Sequence, residues 1–345
     1  MAPQFDGTRF GWDRAEGDVF GDADHTVGGE KQRPARRCDR TCVAVALLFR
    51  PGLFIFSVLA GVLALGYAGA VGYLKLHERE FIFQPAERHV VASASRFELR
   101  EKRVTYPSTD GLTLSAWIVP AATASSSGAW LLIYHGNLGN IGYGQRPEFY
   151  ASMRDLGVNL FAFDYRGFGE SSGAPDERGL YADATASYQY LTRTLRVPPA
   201  RLILFGHSLG SGVAIELASR VPAAGLIVEG AYTSVADRGQ ELYPLFPIKL
   251  IATQRFPSLD RIPLIDMPKI FLHSPEDAVI PYAHGRRLFE AARAPKRFVD
   301  VRGGHEDAYR IDKAVYYGAI AEFLRDVTST LATAGAAEVT SSAPR

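Results

Sequence analysis

A mostly parallel β-sheet with helices on both faces is the α/β fold this sequence predicts, and three observations predict it. From about residue 130 onward, short apolar runs alternate with helical patterns, the signature of strand-helix-strand crossovers. The runs are continuously apolar, as strands buried on both faces of a sheet must be. One of them, Leu202 to Phe205, ends in Gly206-His207-Ser208-Leu209-Gly210 and gives way to small and apolar residues suited to a helix packed tightly on that sheet. A bare G-x-S-x-G is weak, but with a strand before it and a helix after it the pattern reads as a nucleophile elbow. There a strained turn lifts the serine oxygen above the sheet, and small residues at 206 and 210 relieve the crowding.

The elements follow in order. Residues 1–51 are expected to be a disordered, basic cytoplasmic tail: 1–30 are rich in Gly and Asp, and Lys31, Arg33, Arg36, Arg37, Arg40 and Arg50 follow. Gly52 to Leu74 then runs 23 residues without a charge. At ~1.5 Å rise per residue it reaches roughly 34 Å, enough for the ~30 Å hydrocarbon core of a bilayer. Fewer basic residues follow it (Lys75, Arg79, Arg88), so the positive-inside rule keeps the N-terminus cytoplasmic and the remainder outside or periplasmic. Ala68-Gly69-Ala70 resembles a signal-peptidase site, but the polar lead is far longer than an ordinary signal n-region, which favours an uncleaved anchor. Cys38 and Cys42 both precede the span, so the domain beyond it has no disulfide to form.

Residues 75–94 read as an amphipathic connector and 95–327 as the folded domain. Phe97 to Tyr106 and Leu112 to Val119 pattern as a hairpin around Ser108-Thr109-Asp110-Gly111. Strands are expected at Trp130–Tyr134, Val158–Asp164, Leu226–Glu229, Lys269–His273 and Arg297–Val301. Helices are expected at Gln145–Leu156, Glu177–Leu195, Tyr282–Ala292 and Tyr316–Val327. The stretch 232–267 interrupts the alternation with Pro and large apolar residues and reads as a short lid, although ordinary packing explains it equally well. Residues 328–345 are Ser/Thr/Ala-rich and expected to be disordered.

The chemistry needs a base for the serine and a third group to hold that base in one tautomer. In such a sheet the order is Ser, acid, His, each at a strand end. Asp277 follows a predicted strand, with Glu276 and Glu229 as competitors. His305, in Gly303-Gly304-His305, lies just beyond the last strand, where two glycines let the loop turn an imidazole back over the sheet. Two donors for a developing oxyanion are expected from the backbone N–H groups of Leu209 and Asn137, the latter in the loop after Trp130–Tyr134. There is no GxxxxGK[ST] and no HExxH, and Gly142-x-Gly144 lacks the continuation of a dinucleotide loop, so neither cofactor nor metal is indicated. A net charge of +1 and no basic patch interleaved with aromatics set nucleic acid aside.

Taken together, YHGNLGN at 134–140, DYRGFGESSG at 164–173, GHSLGSG at 206–212, DAVIP at 277–281 and GGHED at 303–307 resemble the α/β-hydrolase superfamily. More narrowly they are similar to its single-anchor, membrane-associated serine hydrolases, among them eukaryotic enzymes that remove palmitate from cysteine. The resemblance spans roughly 95–327. It implies Ser208 as nucleophile, Asp277 as acid, His305 as base, and Asn137 with Leu209 at the oxyanion hole. Ser274 departs from the family's usual Gly in its His-Gly-x-x-Asp turn. The expectation is a membrane-anchored hydrolase of carboxylic esters or thioesters, acting on a small or lipid-like acyl substrate. Its rivals are an aminopeptidase-like amide hydrolase and a noncatalytic membrane scaffold of the same fold.

Overall fold

The computed structural model describes residues 40–85, 97–123 and 128–341, with side chains from Gly52 to Ser329. The expected N-terminal tail to residue 39, the end of the connector and residues 342–345 lie outside the described residues. The chain forms two compact units, Met1–Val62 and Leu63–Arg345. In the first, the described residues belong to α1 (Arg40–Leu76), whose side chains are exposed from Gly52 to Val62. Its stretch Gly52–Leu76 is long and apolar enough to cross a membrane.

In the second unit α1 ends and is followed by α2 (Glu78–Ile82) and β1 (Gln84–Pro85), then by β2 (Lys102–Pro107) and β3 (Thr113–Val119). Next come β4 (Trp130–Tyr134), β5 (Leu138–Gly139), α3 (Arg146–Asp155), β6 (Asn159–Phe163), α4 (Glu177–Gln189), β7 (Leu202–His207), α5 (Leu209–Ala218) and β8 (Gly225–Glu229). The insertion carries α6 (Val235–Leu242), α7 (Ile248–Ile251) and α8 (Ser258–Arg261). The chain closes with β9 (Lys269–His273), α9 (Tyr282–Ala291), β10 (Lys296–Asp300), α10 (Ala308–Ile311) and α11 (Lys313–Ser341).

Eight strands make one sheet in the order β10-β9-β8-β7-β4-β6-β3-β2. β3 runs antiparallel to both of its neighbours, β2 and β6; from β6 to β10 every pairing is parallel. The period of two in a strand divides the core. Leu202 and Leu204 of β7 enter the layer shared with α4, α5 and α9, while Ile203 and Phe205 enter the opposite layer with α3 and α11. A doubly covered parallel sheet is therefore what the continuous apolar runs encode, and the predicted fold class holds.

Four expectations need correction. The first hairpin strand begins at Lys102, because Glu98 and Arg100 take φ values of +50° and +52° that break an extended chain before it. The expected disordered tail does not run to residue 51, because the backbone is helical from Arg40, where α1 begins; the connector, for its part, carries β1, which pairs in parallel with β5, Gln84 opposite Leu138, in a separate two-stranded sheet. The closing helix does not stop near Val327, since the backbone stays helical to Ser341, where alanines of high helix propensity outweigh the Ser and Thr that suggested disorder.

At the crossing of β7 and α5, Gly210 approaches β4 so closely that a Cβ there would sit 2.0 Å from the Tyr134 carbonyl oxygen. Backbone cannot swing aside as a side chain can. Gly210→Ala is thus expected to destabilise the domain by about 3 kcal/mol or more, seen in thermal unfolding as a Tm lower by roughly 10 °C.

Candidate active site

Ser208 sits between β7 and α5 at φ +51° and ψ −121°, a conformation a β-carbon-bearing residue holds only when its surroundings impose it. The surroundings do so from both sides. Ser208 N–H donates to the Glu229 carbonyl of β8 at 3.0 Å, and Ser211 N–H and Oγ both donate to the Ser208 carbonyl, at 2.9 and 2.6 Å. The hydroxyl is thereby aimed outward from the sheet edge.

The loop after β10 brings His305 to it. Gly303 at φ +108° makes the reversal, and Gly304 N–H donates to Asp307 Oδ1 at 2.6 Å. His305 Nε2 lies 2.7 Å from Ser208 Oγ, and His305 Nδ1 lies 2.7 Å from Asp277 Oδ2. The carboxylate can only accept, so Nδ1 carries the proton and Nε2 presents its lone pair to the serine hydroxyl. Asp277 Oδ1 accepts from the N–H groups of Val279 and Ile280 at 2.9 and 2.8 Å, which fixes the carboxylate's rotation. Burial alone would raise this carboxyl, but hydrogen bonding from His273 and His305 outweighs it and holds Asp277 well below the usual carboxylate range. Such a chain can accept a proton from the hydroxyl while the imidazolium that forms is stabilised.

The competing acids are engaged elsewhere. Glu276 accepts from Gly303 N–H at 3.3 Å. Glu229 is buried and accepts from Tyr316 Oη at 2.8 Å, and burial pushes its carboxyl up.

Asn137 and Leu209 line the same cavity as Ser208. That cavity measures about 370 Å³, and its walls include Phe81, Leu242, Ile248, Ile251 and Ile280. The sequence placed Asn137 in a Gly/Asn loop without saying what holds it. The holder is the connector: Gln84 N–H donates to the Asn137 carbonyl at 3.0 Å, and Asn137 Nδ2 donates to the Ile82 carbonyl at 3.1 Å. From the other side, Ile141 N–H donates to Asp164 Oδ1 at 2.8 Å and the Arg146 guanidinium donates to the Asn140 carbonyl at 2.5 Å. The DYRG segment therefore acts here as scaffold for the loop.

Two further residues escaped sequence reasoning. His207, noted only as part of the elbow, donates Nε2–H to the His305 carbonyl at 3.0 Å and packs its ring 5.1 Å from the His305 ring. Burial disfavours its charge, but Glu306 and Glu229 outweigh that and hold its pKa above the ordinary histidine value. Ser274 donates its hydroxyl to the Gly303 carbonyl at 2.5 Å, tying the loop of Asp277 to the loop of His305. Its departure from Gly was the visible signal; the partner 29 residues away was not. His207, His305 and Glu306 bring possible ligand atoms within 4.8 Å of one another. Both His305 nitrogens and His207 Nε2 are already hydrogen-bonded within the protein, so the cluster does not fit a metal centre.

Residues 125–261 match the family model described as Serine aminopeptidase, S33. The chain is 35% identical over 266 residues to an uncharacterized protein of Mycobacterium tuberculosis, covering 77% of this chain and 93% of that one. It is 33% identical over 189 residues to the lysophosphatidylserine lipase ABHD12 of Danio rerio, covering 50% of this chain and 49% of that one. Among solved structures, the Pyrococcus furiosus esterase Pf2001 superposes with a TM-score of 0.60 at 16% identity, over 71% of this chain and 97% of that one.

Proposed function

The chain belongs to the α/β-hydrolase superfamily, and from that premise we propose that it is a membrane-anchored serine hydrolase that cleaves carboxylic esters or thioesters through an acyl-enzyme. The observation that carries this reading is the continuous relay from Asp277 through His305 to Ser208, with both links at 2.7 Å, ending at the wall of an apolar cavity. In the proposed reaction His305 takes the Ser208 proton as Oγ attacks the acyl carbonyl. The backbone N–H groups of Leu209 and Asn137 receive the developing oxyanion, and His305 returns the proton to the leaving alcohol or thiol. Water, activated by the same imidazole, then releases the acid. We assign Gly52–Leu74 as the anchor and residues 95–327 as the catalytic domain, with the N-terminus cytoplasmic and the catalytic domain outside or periplasmic.

An amide reading follows from the family model's description, and one feature weighs against an aminopeptidase. A free α-amine calls for an acidic partner, yet Glu78 is the one carboxylate among the described residues lining the cavity. Both its oxygens accept from Thr253 and Gln254. The deciding experiment is labelling with a fluorophosphonate probe, followed by p-nitrophenyl esters beside aminoacyl anilides. Stoichiometric labelling that disappears in Ser208→Ala, with turnover of esters above anilides, is the expected result. A folded chain that takes no label is the scaffold instead.

A further inference from the structure

We propose that the apolar tip of the insertion, residues 242–250, is itself immersed in the bilayer leaflet beside the end of α1, and that the substrate is a membrane-resident acyl amphiphile. Its chain passes sideways from that leaflet into the cavity at Ser208. This rests on the serine hydrolase reading and on α1 as the anchor.

The argument starts from depth. Tyr67 lies seven residues before Leu74, the last residue of the uncharged stretch, and so roughly 10 Å inside its end at ~1.5 Å per residue. Yet Tyr67 Oη donates to the Leu245 carbonyl at 2.9 Å, and its ring stacks on Phe246 at 5.5 Å. Residues 245 and 246 therefore sit at the depth of the apolar span, not above it. Lys75, the first charge after the span, donates to the Ile251 carbonyl, which places the headgroup boundary beside residue 251.

Exposure is the second line. Leu242, Leu245 and Leu250 are 56%, 81% and 83% exposed, a group of large apolar side chains that water disfavours and an acyl layer accepts. Lys249 among them reaches Asp237 at 2.6 Å, so its charge is paired. The third line is the cavity's own wall. It includes Leu74 and Lys75 of α1 and Phe81 of α2 on one side, with Leu242 and Tyr243 of the insertion on the other. The end of the anchor is thus a wall of the substrate cavity as well as a tether. Glu78 locks the two walls together, its carboxylate accepting from Thr253 N–H and Oγ1 and from Gln254 N–H.

The test uses the full chain in phosphatidylcholine vesicles. Flotation with the vesicles reports the anchor, and Ser208-dependent hydrolysis of p-nitrophenyl acetate in water reports the enzyme, so failure of either underlying reading is seen by itself. Leu245 and Leu250 do not line the cavity. Leu245→Asp combined with Leu250→Asp is therefore expected to leave acetate turnover unchanged and to lower turnover of p-nitrophenyl palmitate held in the bilayer by about tenfold. An unchanged palmitate-to-acetate ratio overturns the proposal. As a readout free of activity, Leu245→Trp is expected to gain fluorescence that lipids brominated on the acyl chain quench beyond the wild-type level. Equal quenching of variant and wild type overturns it as well.

Discussion

Ser208→Ala is expected to lower the turnover of p-nitrophenyl esters by about 10⁴-fold or more, with the fold intact. The size follows from what is removed. His305 Nε2 keeps its lone pair and Asp277 its hydrogen bond, but the only oxygen they can activate is gone, and the remaining acceleration comes from binding and oxyanion donors alone. The stability cost should be small, about 1 kcal/mol for one lost hydrogen bond, because the Ser208 side chain's described partner is His305 and the strained φ of +51° is imposed by the backbone around it. Steady-state kinetics with urea unfolding on the same preparation checks both halves. Full activity in a folded Ser208→Ala protein removes the proposed nucleophile.

Asp277→Asn should cost nearly as much, about 10⁴-fold in kcat, and the structure says why an isostere fails. The oxygen that accepts from Val279 and Ile280 must stay an oxygen, so the amide nitrogen of Asn faces His305. It donates where a carboxylate accepts. The imidazole then takes the opposite tautomer, with its proton on Nε2 against the serine hydroxyl, and cannot accept.

The same carboxylate predicts a pH signature in stability. Its folded pKa lies below the ordinary, unfolded value of ~3.9. The stabilisation it contributes is therefore fully present above that unfolded value and is lost as pH falls toward the folded one. Wild type should exceed Asp277→Asn in denaturant unfolding by a constant margin near neutral pH, and the margin should shrink below about pH 4. A margin that instead grows on acidification contradicts the depressed carboxyl.

Much of this was legible before any coordinates. The central strands, such as Trp130–Tyr134, Leu202–Phe205 and Leu226–Val228, announced themselves as unbroken apolar runs, because a strand covered on both faces has no polar positions to spare. Ser208 was legible for a steric reason: a serine forced to positive φ between a strand and a helix needs the smallest neighbours at 206 and 210, and a Cβ at 210 would collide with Tyr134 backbone. Asp277 and His305 were legible from their positions after strands. Asp277 was favoured over Glu276 and Glu229 by its position and the resemblance, but the reason it is the partner lay outside any local pattern, since it turns on which carboxylate reaches Nδ1 across 28 residues of chain.

What the sequence by itself determined is the local chemistry: an apolar span, a doubly covered sheet, and the residue types at its strand ends. These follow from periodicity and backbone sterics, which act between near neighbours. What only the tertiary structure decided is partnership at a distance. Gln84 holds Asn137, Ser274 reaches Gly303, His207 steadies His305, and Tyr67 of the span meets Leu245 of the insertion. A hydrogen bond or ring contact between remote residues depends on how whole elements pack, and no pattern along a single chain encodes that distance.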